Sequence, residues 1–369
     1  RAFQDKSYFT SRSGFVSFVC RNSRTDSVET LIERLRQNGG ADVITRASSG
    51  EITFEEFATS LRYFLKFNST IVKDFSVSSA KDWQLTSHRN DVKCSFSLEG
   101  RRGMSAETQF NGFTFEGITH FYQQKDEDLS QAKRELQQRL MRNSPDALLL
   151  EGYEFSQPLP CEQVLQAALT PDTDIKMENE FLLKYGFLKK VAMVPADNQT
   201  IEASDIPLFF AGDQSKAQQV SAEVQFVDIL HQYFVELKNG SKNALASAVQ
   251  KTQGKWANLL HWDVDKFRQK YQELNGRELS NDPQVIEKDF TPTSKFTPNR
   301  VVHNPGGTNR LVDQQDLLRN QALLRAIQIA MQNHVHPMAI FGAGHLEDLA
   351  DDLEKYLGAP LTTDFKKRC

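Results

Sequence analysis

The sequence predicts an α/β fold with a mostly parallel central sheet flanked by helices, preceded by a smaller, helix-rich N-terminal region. Four short apolar runs lie at residues 113–115, 147–150, 191–194 and 338–341. Stretches with helical periodicity separate them, and this alternation is typical of βαβ units. The run at 147–150 is continuously apolar, as strands buried on both faces are. We therefore expect the four runs to be neighbouring strands of one sheet, joined by right-handed crossovers.

Composition and charge limit the classes of partner. The 369 residues are 39% hydrophobic and 25% charged, which is ordinary for a globular chain long enough for two domains. A formal charge of −4 with no long basic run does not favour nucleic acid or an anionic membrane as partner. No apolar run approaches the roughly 18 residues of a transmembrane segment. A peptide or small-molecule substrate, or a protein partner, fits the sequence better.

The cysteines and the first residue bear on the compartment. Four cysteines are scattered without a Cys-x-x-Cys pair, so neither a disulfide framework nor a zinc knuckle is expected. The chain starts at Arg1 without Met, which indicates a truncated or processed N-terminus. A secreted or translocated protein is compatible with this start, but the sequence does not fix the localisation.

Residues 1–105 form the predicted N-terminal region, and residues 106–369 form the predicted α/β domain. The N-terminal region should contain helices at about 27–37 and 53–67, followed by short strands and turns. Gly50 and Glu56 fit the sixth and twelfth positions of an EF-hand loop. Where the other ligands should stand, the sequence has Thr45, Ala47 and Ser49. Calcium binding is therefore not expected, and a helix–loop–helix packing unit is the preferred interpretation.

Helical patterns connect the strands of the predicted α/β domain. The expected helices cover about 126–142, 216–238, 242–260, 264–274, 313–332 and 347–357, with another beginning near 161. Residues 283–311 have little periodicity and are rich in Pro, Thr, Asn and Gly. Loops of this length inside a domain often act as lids or binding loops.

Two strand ends carry the same short signature, Gly-x-x-His. Gly117 and His120 follow the first run of the domain, and Gly342 and His345 follow the last. In an open parallel sheet, ligands bind at the carboxyl ends of the strands. Glycine lets the backbone turn sharply there. Two histidines far apart in sequence are therefore expected to meet at one site.

The four strand ends deliver His120, Glu151, Asp197 and His345. Two imidazoles with one or two carboxylates are the ligand set of a catalytic divalent-metal site with an open coordination position. Zinc, manganese and cobalt are the candidate ions. Glu151 ends a run too apolar to solvate a carboxylate, so it should be paired or liganded.

Each of these residues also has a simpler interpretation. Either histidine alone is compatible with a hydrogen-bonded residue near a strand end. Glu151 can cap the next helix or pair with an arginine. The Asp197–Asn198 dipeptide is typical of a turn or a helix N-cap, and this interpretation is the preferred one.

Together, the motifs resemble those of a known superfamily. They are Gly-x-x-His after the first strand, Leu-Leu-Leu-Glu after the second, Arg319 with Asn320 on a long helix, and a final Gly-Ala-Gly-His-Leu. This pattern resembles the TraB/Tiki superfamily, which also includes erythromycin-esterase-like and ChaN-like proteins and a domain of the Pasteurella-type mitogenic toxin. The resemblance covers about residues 110–360, whereas the first hundred residues match nothing in that group.

The resemblance implies two related α/β halves whose motif residues meet in one cleft. Some members look like metal-dependent proteases, and others open a lactone, bind haem or have no known activity, so the fold does not fix the reaction. By this likeness, Arg319 faces the cleft and holds Glu151 or an anionic transition state.

Three hypotheses follow. The first is a metal-dependent hydrolase, protease- or esterase-like. In it, His120, His345 and Glu151 hold the ion, and Glu151, Asp197, Arg319 and Asn320 take part in catalysis. The second is a non-catalytic interaction module of a secreted toxin or effector. The third is a ligand carrier with haem in the same cleft.

Overall fold

The computed structural model describes most of the chain. The described residues are 6–75, 83, 85, 95–97, 106–118, 121, 126–154, 157–197, 214–255, 262–290, 306–364 and 366–368. His120, one of the predicted metal ligands, lies outside the described residues.

Thirteen α-helices and eight strands are present among the described residues. The helices are α1 Arg12–Asn22, α2 Val28–Gln37, α3 Gly40–Ala47, α4 Phe54–Phe75, α5 Asp126–Asn143, α6 Cys161–Ala168, α7 Glu178–Lys189, α8 Gln214–Lys238, α9 Ala244–Lys255, α10 Val264–Asn275, α11 Pro283–Asp289, α12 Gly307–Asn333 and α13 Ala343–Leu357. The strands are β1 Ser95–Ser97, β2 Ala106–Phe110, β3 Phe113–Ile118, β4 Ala147–Glu154, β5 Ala192–Asp197, β6 Pro337–Gly342, β7 Thr362–Thr363 and β8 Lys366–Arg368.

The main sheet has six strands in the order β5-β4-β6-β3-β2-β7. The pairs β5/β4, β4/β6 and β6/β3 are parallel, whereas β3/β2 and β2/β7 are antiparallel. Strands β1 and β8 form a separate two-stranded ribbon. The predicted α/β class is therefore confirmed, and the four apolar runs are neighbouring strands as expected.

Strand β4 shows why these sequences form central strands. Its residues Ala147 to Leu150 are completely buried, so an unbroken apolar run is the only pattern that suits both faces. Leu148 and Leu150 pack in one core with helices of the N-terminal region and α5–α7. Ala147 and Leu149 pack on the opposite face with α12 and α13. Helices therefore cover the sheet on both sides.

The N-terminal helices share their core with the sheet. Buried residues of α1–α4 belong to the same hydrophobic cluster as Leu148, Leu150 and Ile340. The boundary predicted near Ser105 therefore does not divide two separate cores. A disulfide between Cys20 of α1 and Cys161 of α6 spans 141 residues of sequence. The scattered spacing of the cysteines had not indicated this bridge.

The EF-hand-like segment is a helix cap. The Glu56 carboxylate accepts the backbone N–H of Thr53 at 2.9 Å, while the Thr53 hydroxyl accepts the backbone N–H of Glu56 at 3.2 Å. This reciprocal pair is a capping box, which begins α4. Ile52, in front of it, is buried. The preferred helix–loop–helix interpretation therefore describes α3 and α4.

The stretch expected to be a long loop is partly helical. Helix α11 begins there because the Asp282 side chain caps the N–H of Gln284 at 2.9 Å and Pro283 occupies the first turn. Helix α12 begins at Gly307, six residues before the predicted start. Residues 291–305 lie outside the described part of the chain. Helices α8–α11 enclose a third core, lined by side chains such as Phe267 and Tyr271.

Two further elements were not predicted from the sequence. Helix α7 is apolar on several sides, with Leu182, Leu183 and Phe187 all buried, so it lacks a clear amphipathic stripe. Strand β2 has three consecutive polar residues, Glu107 to Gln109, between Ala106 and Phe110, and it forms a hairpin with β3. Among the described helices, none is both long enough and apolar enough to cross a membrane.

Candidate functional site

A cluster of charged and polar side chains lies at the carboxyl ends of three adjacent parallel strands. Glu151 stands near the end of β4, and Asp197 is the last residue of β5. His345 follows β6 in the first turn of α13. Arg319 reaches this edge from α12. The strand order β5-β4-β6 therefore brings residues nearly 200 positions apart into one place.

Arg319 holds two carboxylates at once. Its Nε donates to Oδ1 of Asp197 at 2.7 Å, and its Nη2 donates to Oδ2 of Asp197 and Oε1 of Glu151, both at 2.8 Å. The Asp197 side chain is fully buried, and those of Glu151 and Arg319 are 13% and 20% exposed. Planar bidentate geometry makes the Arg319–Asp197 pair the firmest interaction of the cluster.

Two backbone N–H groups complete the carboxylate contacts. Gly152 donates to Oδ2 of Asp197 at 2.9 Å, and Gly342 donates to Oε2 of Glu151 at 2.6 Å. Gly152 has a φ of +83°, a conformation that favours glycine because it has no Cβ. Gly342 is the N-cap of α13, so the positive end of that helix faces Glu151.

Arg319 sets the protonation of Asp197. Burial by itself would raise the pKa of Asp197, but the charge and hydrogen bonds of Arg319 outweigh burial and lower the pKa. Burial would likewise lower the pKa of Arg319, yet Asp197 and Glu151 raise it well above its ordinary value. Asp197 is therefore ionised at neutral pH and paired with Arg319.

His345 is fixed by three neighbours. Its Nδ1 lies 2.6 Å from Oδ1 of Asn320, and the Asn320 Nδ2 donates to Oδ2 of Asp348 at 3.1 Å. Its Nε2 lies 3.4 Å from Oε1 of Glu151. The ring of Phe341 meets the imidazole edge to face, with the centroids 5.4 Å apart. The imidazole is therefore held with Nε2 toward Glu151.

The structure thus brings together five of the six residues chosen from the sequence. They are Glu151, Asp197, Arg319, Asn320 and His345. The preferred interpretation of Asp197 as a turn or N-cap residue is wrong, because it ends β5 and its carboxylate binds Arg319. Sequence reasoning missed Asp348, although it stands three residues after His345, the spacing that places two side chains on one helix face.

The described residues include two of the three predicted metal ligands, Glu151 and His345. Within the described part of the chain, no group of three or more His, Cys, Asp or Glu side chains is arranged to hold a metal ion. Two predicted ligand atoms, Nε2 of His345 and Oε1 of Glu151, are 3.4 Å apart. Two ligands on one tetrahedral zinc ion, each bonded at about 2.1 Å, stand about 3.4 Å from each other. The separation of this pair is close to that distance, and the third predicted ligand, His120, lies outside the described residues.

No protein-family model, curated protein or solved structure matches this chain. The fold and the site define this chain as an α/β protein with a largely buried Arg–carboxylate–His cluster at the carboxyl edge of its parallel strands.

Proposed function

We propose that the protein is a hydrolase, protease- or esterase-like, whose cleft is centred on Nε2 of His345 and Oε1 of Glu151. One observation carries the proposal. An imidazole fixed on its Nδ1 side points its Nε2 at a carboxylate, at the sheet edge where open α/β proteins bind ligands. An oriented imidazole beside a carboxylate is an arrangement that activates water for attack on a carbonyl carbon. The resemblance to TraB/Tiki proteins supports the same class of reaction.

Each residue of the cluster has a part in this proposal. Nε2 of His345 accepts the proton of the attacking water, while Asn320 keeps the ring in place. Arg319 uses Nε and Nη2 for its two carboxylates, and among the described residues its Nη1 has only a distant contact, 3.9 Å to Oδ1 of Asp316. A guanidinium that is always charged can stabilise the negative charge that develops on the substrate oxygen. Asp197 holds Arg319 in position.

The divalent ion implied by the resemblance would be held by His345 and Glu151, together with His120. When bound, such an ion lowers the pKa of a coordinated water and polarises a carbonyl. The carboxylate of Glu151 and the imidazole of His345 are ligand types that such ions accept.

A different observation favours a non-catalytic role for the cluster. All four carboxylate oxygens of Glu151 and Asp197 already accept hydrogen bonds or an ion pair from Arg319, Gly152 or Gly342. A cluster satisfied by its own groups is what a purely structural network also requires. In that case, the residues stabilise the sheet edge and perform no chemistry.

Hydrolysis assays separate the two. Untagged wild-type protein is incubated with panels of ester and peptide substrates, with a chelator or with added zinc, manganese or cobalt. We expect hydrolysis that is lost in Glu151→Gln and retained in Glu162→Gln, a matched change at an exposed position of α6. Loss of activity with the chelator assigns the ion to the reaction. A wild type that hydrolyses nothing with any metal, or a Glu151→Gln variant that is fully active, contradicts the proposed function.

A further inference from the structure

We propose that Asp348 is a positioning residue that acts through Asn320. It holds His345 as the tautomer with its proton on Nδ1, so that Nε2 offers its electron pair to the cleft. The functional consequence rests on the proposed hydrolase, but the tautomer itself does not depend on any activity.

The argument starts from the Asn320 amide. An amide side chain presents either its carbonyl oxygen or its NH2 group to a neighbour, and these two choices have opposite hydrogen-bonding roles. An ionised carboxylate only accepts hydrogen bonds. Because Oδ2 of Asp348 lies 3.1 Å from Nδ2 of Asn320, the NH2 group must face Asp348. Oδ1 of Asn320 is therefore turned toward His345.

The second step fixes the proton on the ring. Oδ1 of Asn320 and Nδ1 of His345 are 2.6 Å apart, a separation that requires a proton between them. The amide oxygen carries no proton, so Nδ1 must donate. On the other side of the ring, the Glu151 carboxylate is the competing acceptor, which would favour a proton on Nε2. Its Oε1 is 3.4 Å from Nε2, beyond the usual 2.7–3.2 Å of an N–H···O hydrogen bond.

The placement of Asp348 on α13 suits this role. It follows His345 by three residues, so both side chains lie on the same face of the helix and approach α12 together. Asn320 is 4% exposed and His345 is 8% exposed, so little water competes for these hydrogen bonds. Histidines that act as metal ligands or general bases have their second nitrogen oriented in the same manner.

A ring with its proton on Nδ1 is the form that the proposed function needs. Only an unprotonated Nε2 can take a proton from water or bind a divalent ion. Asp348 accepts a hydrogen bond from Asn320, and its effect on the ring passes through that amide.

The tautomer can be measured directly by NMR with selective ¹⁵N labelling of histidine. The chain has eight histidines, and the signals of His345 are assigned by their loss in His345→Gln. Spectra are recorded at about pH 8.5, well above the ordinary histidine pKa of about 6.5. We expect wild-type protein to show a protonated Nδ1 and an unprotonated Nε2. A protonated Nε2 in the wild type overturns the proposal, and this measurement requires only the assignment variant His345→Gln to fold.

Two variants test the route through Asn320. In Asp348→Ala the amide is no longer locked, and we expect the Nε2-protonated form to become substantially populated. In the exchanged pair, Asn320→Asp with Asp348→Asn, an acceptor again faces Nδ1, and we expect the wild-type tautomer to return. A purely structural role predicts no change of tautomer in a folded Asp348→Ala protein, and that result overturns the proposal.

Metal titration of the same proteins separates this inference from the proposed function. We expect zinc affinity to fall about 10–100-fold in Asp348→Ala, as for other residues that orient a ligand. If wild-type protein shows the expected tautomer but binds no zinc, manganese or cobalt, the positioning role stands and the metal proposal fails. Unchanged zinc affinity in Asp348→Ala, with the tautomer altered, removes the link between positioning and metal binding.

Discussion

Replacing Arg319 with methionine should destabilise the protein strongly at neutral pH. Methionine keeps the length of the side chain but leaves Asp197 fully buried and Glu151 13% exposed without their cation. Removing one partner of a buried ion pair costs about 3–5 kcal/mol. Arg319 is 20% exposed, which is low enough that solvent screening removes little of this effect.

The expected shift in melting temperature follows from the size of the chain. An unfolding entropy of about 2.1 cal/mol/K per residue gives about 0.8 kcal/mol/K for 369 residues, if the chain unfolds as one unit. The loss then corresponds to a decrease of about 4–6 °C, measurable by calorimetry. Arg62→Met is a matched control, because Arg62 makes the same two-pronged contact with Glu29 at the surface. We expect it to change the melting temperature little.

The pH dependence gives a second test of the same substitution. In the wild type, the lowered pKa of Asp197 contributes stability above about pH 3.9, the ordinary Asp pKa, and this contribution is lost as the pH falls through the lowered value. Without Arg319, burial dominates and raises the pKa of Asp197. Protonation of Asp197 therefore removes the cost of burying its charge, and the variant recovers stability as the pH falls. The deficit of Arg319→Met should therefore be largest near pH 7 and shrink toward about pH 4.5. A deficit no larger than that of Arg62→Met, or one that grows on acidification, would refute the reasoning.

Three further predictions concern ions and the disulfide. Zinc, manganese or cobalt should raise the melting temperature of the wild type but not of His345→Ala, because binding to the folded state alone stabilises it; a wild type indifferent to all three ions contradicts the metal site. Calcium should leave the melting temperature unchanged, since Glu56 is engaged in capping Thr53, and a calcium-dependent increase would disprove this. Replacing Cys20 and Cys161 with serine should lower the free energy of unfolding by up to about 5 kcal/mol, from closure of a 141-residue loop, and denaturant titration showing no loss would contradict it.

Much of the sheet could be predicted because parallel strands buried on both faces have an unmistakable composition. The run from Ala147 to Leu150 is an example. Strand β2 and helix α7 were missed because tertiary packing, more than local periodicity, decides their structure. Glu107 of β2 is buried because Arg142 and Asn143 donate hydrogen bonds to it, a compensation that no short window of sequence shows.

The candidate site was predictable where strand order alone determines proximity. Glu151, at the end of an apolar strand, was expected to be paired, and it is paired with Arg319. Asp348 was missed because its role depends on the orientation of one amide on another helix. The bridge between Cys20 and Cys161 likewise depends on how α1 packs against α6, which sequence spacing does not reveal.

The turn interpretation of Asp197 failed for a related reason. An Asp-Asn pair after an apolar strand is usually a turn. Here Asp197 belongs to the strand itself, because Arg319 supplies the charge that makes its complete burial tolerable. The contact with Arg319, 122 positions away, outweighed the local preference of an Asp-Asn pair for a turn.

The most direct test of the central claim is the rate at which His345→Ala hydrolyses the best ester or peptide substrate of the wild type. His336→Ala serves as control, since His336 is an exposed histidine just before β6. Loss of a positioned general base typically lowers the rate by 10²–10⁴-fold. The account predicts a loss of about this size in His345→Ala, with normal folding and with His336→Ala as active as the wild type. Equal rates for His345→Ala and wild type, or a wild type without hydrolytic activity on either panel, would contradict it.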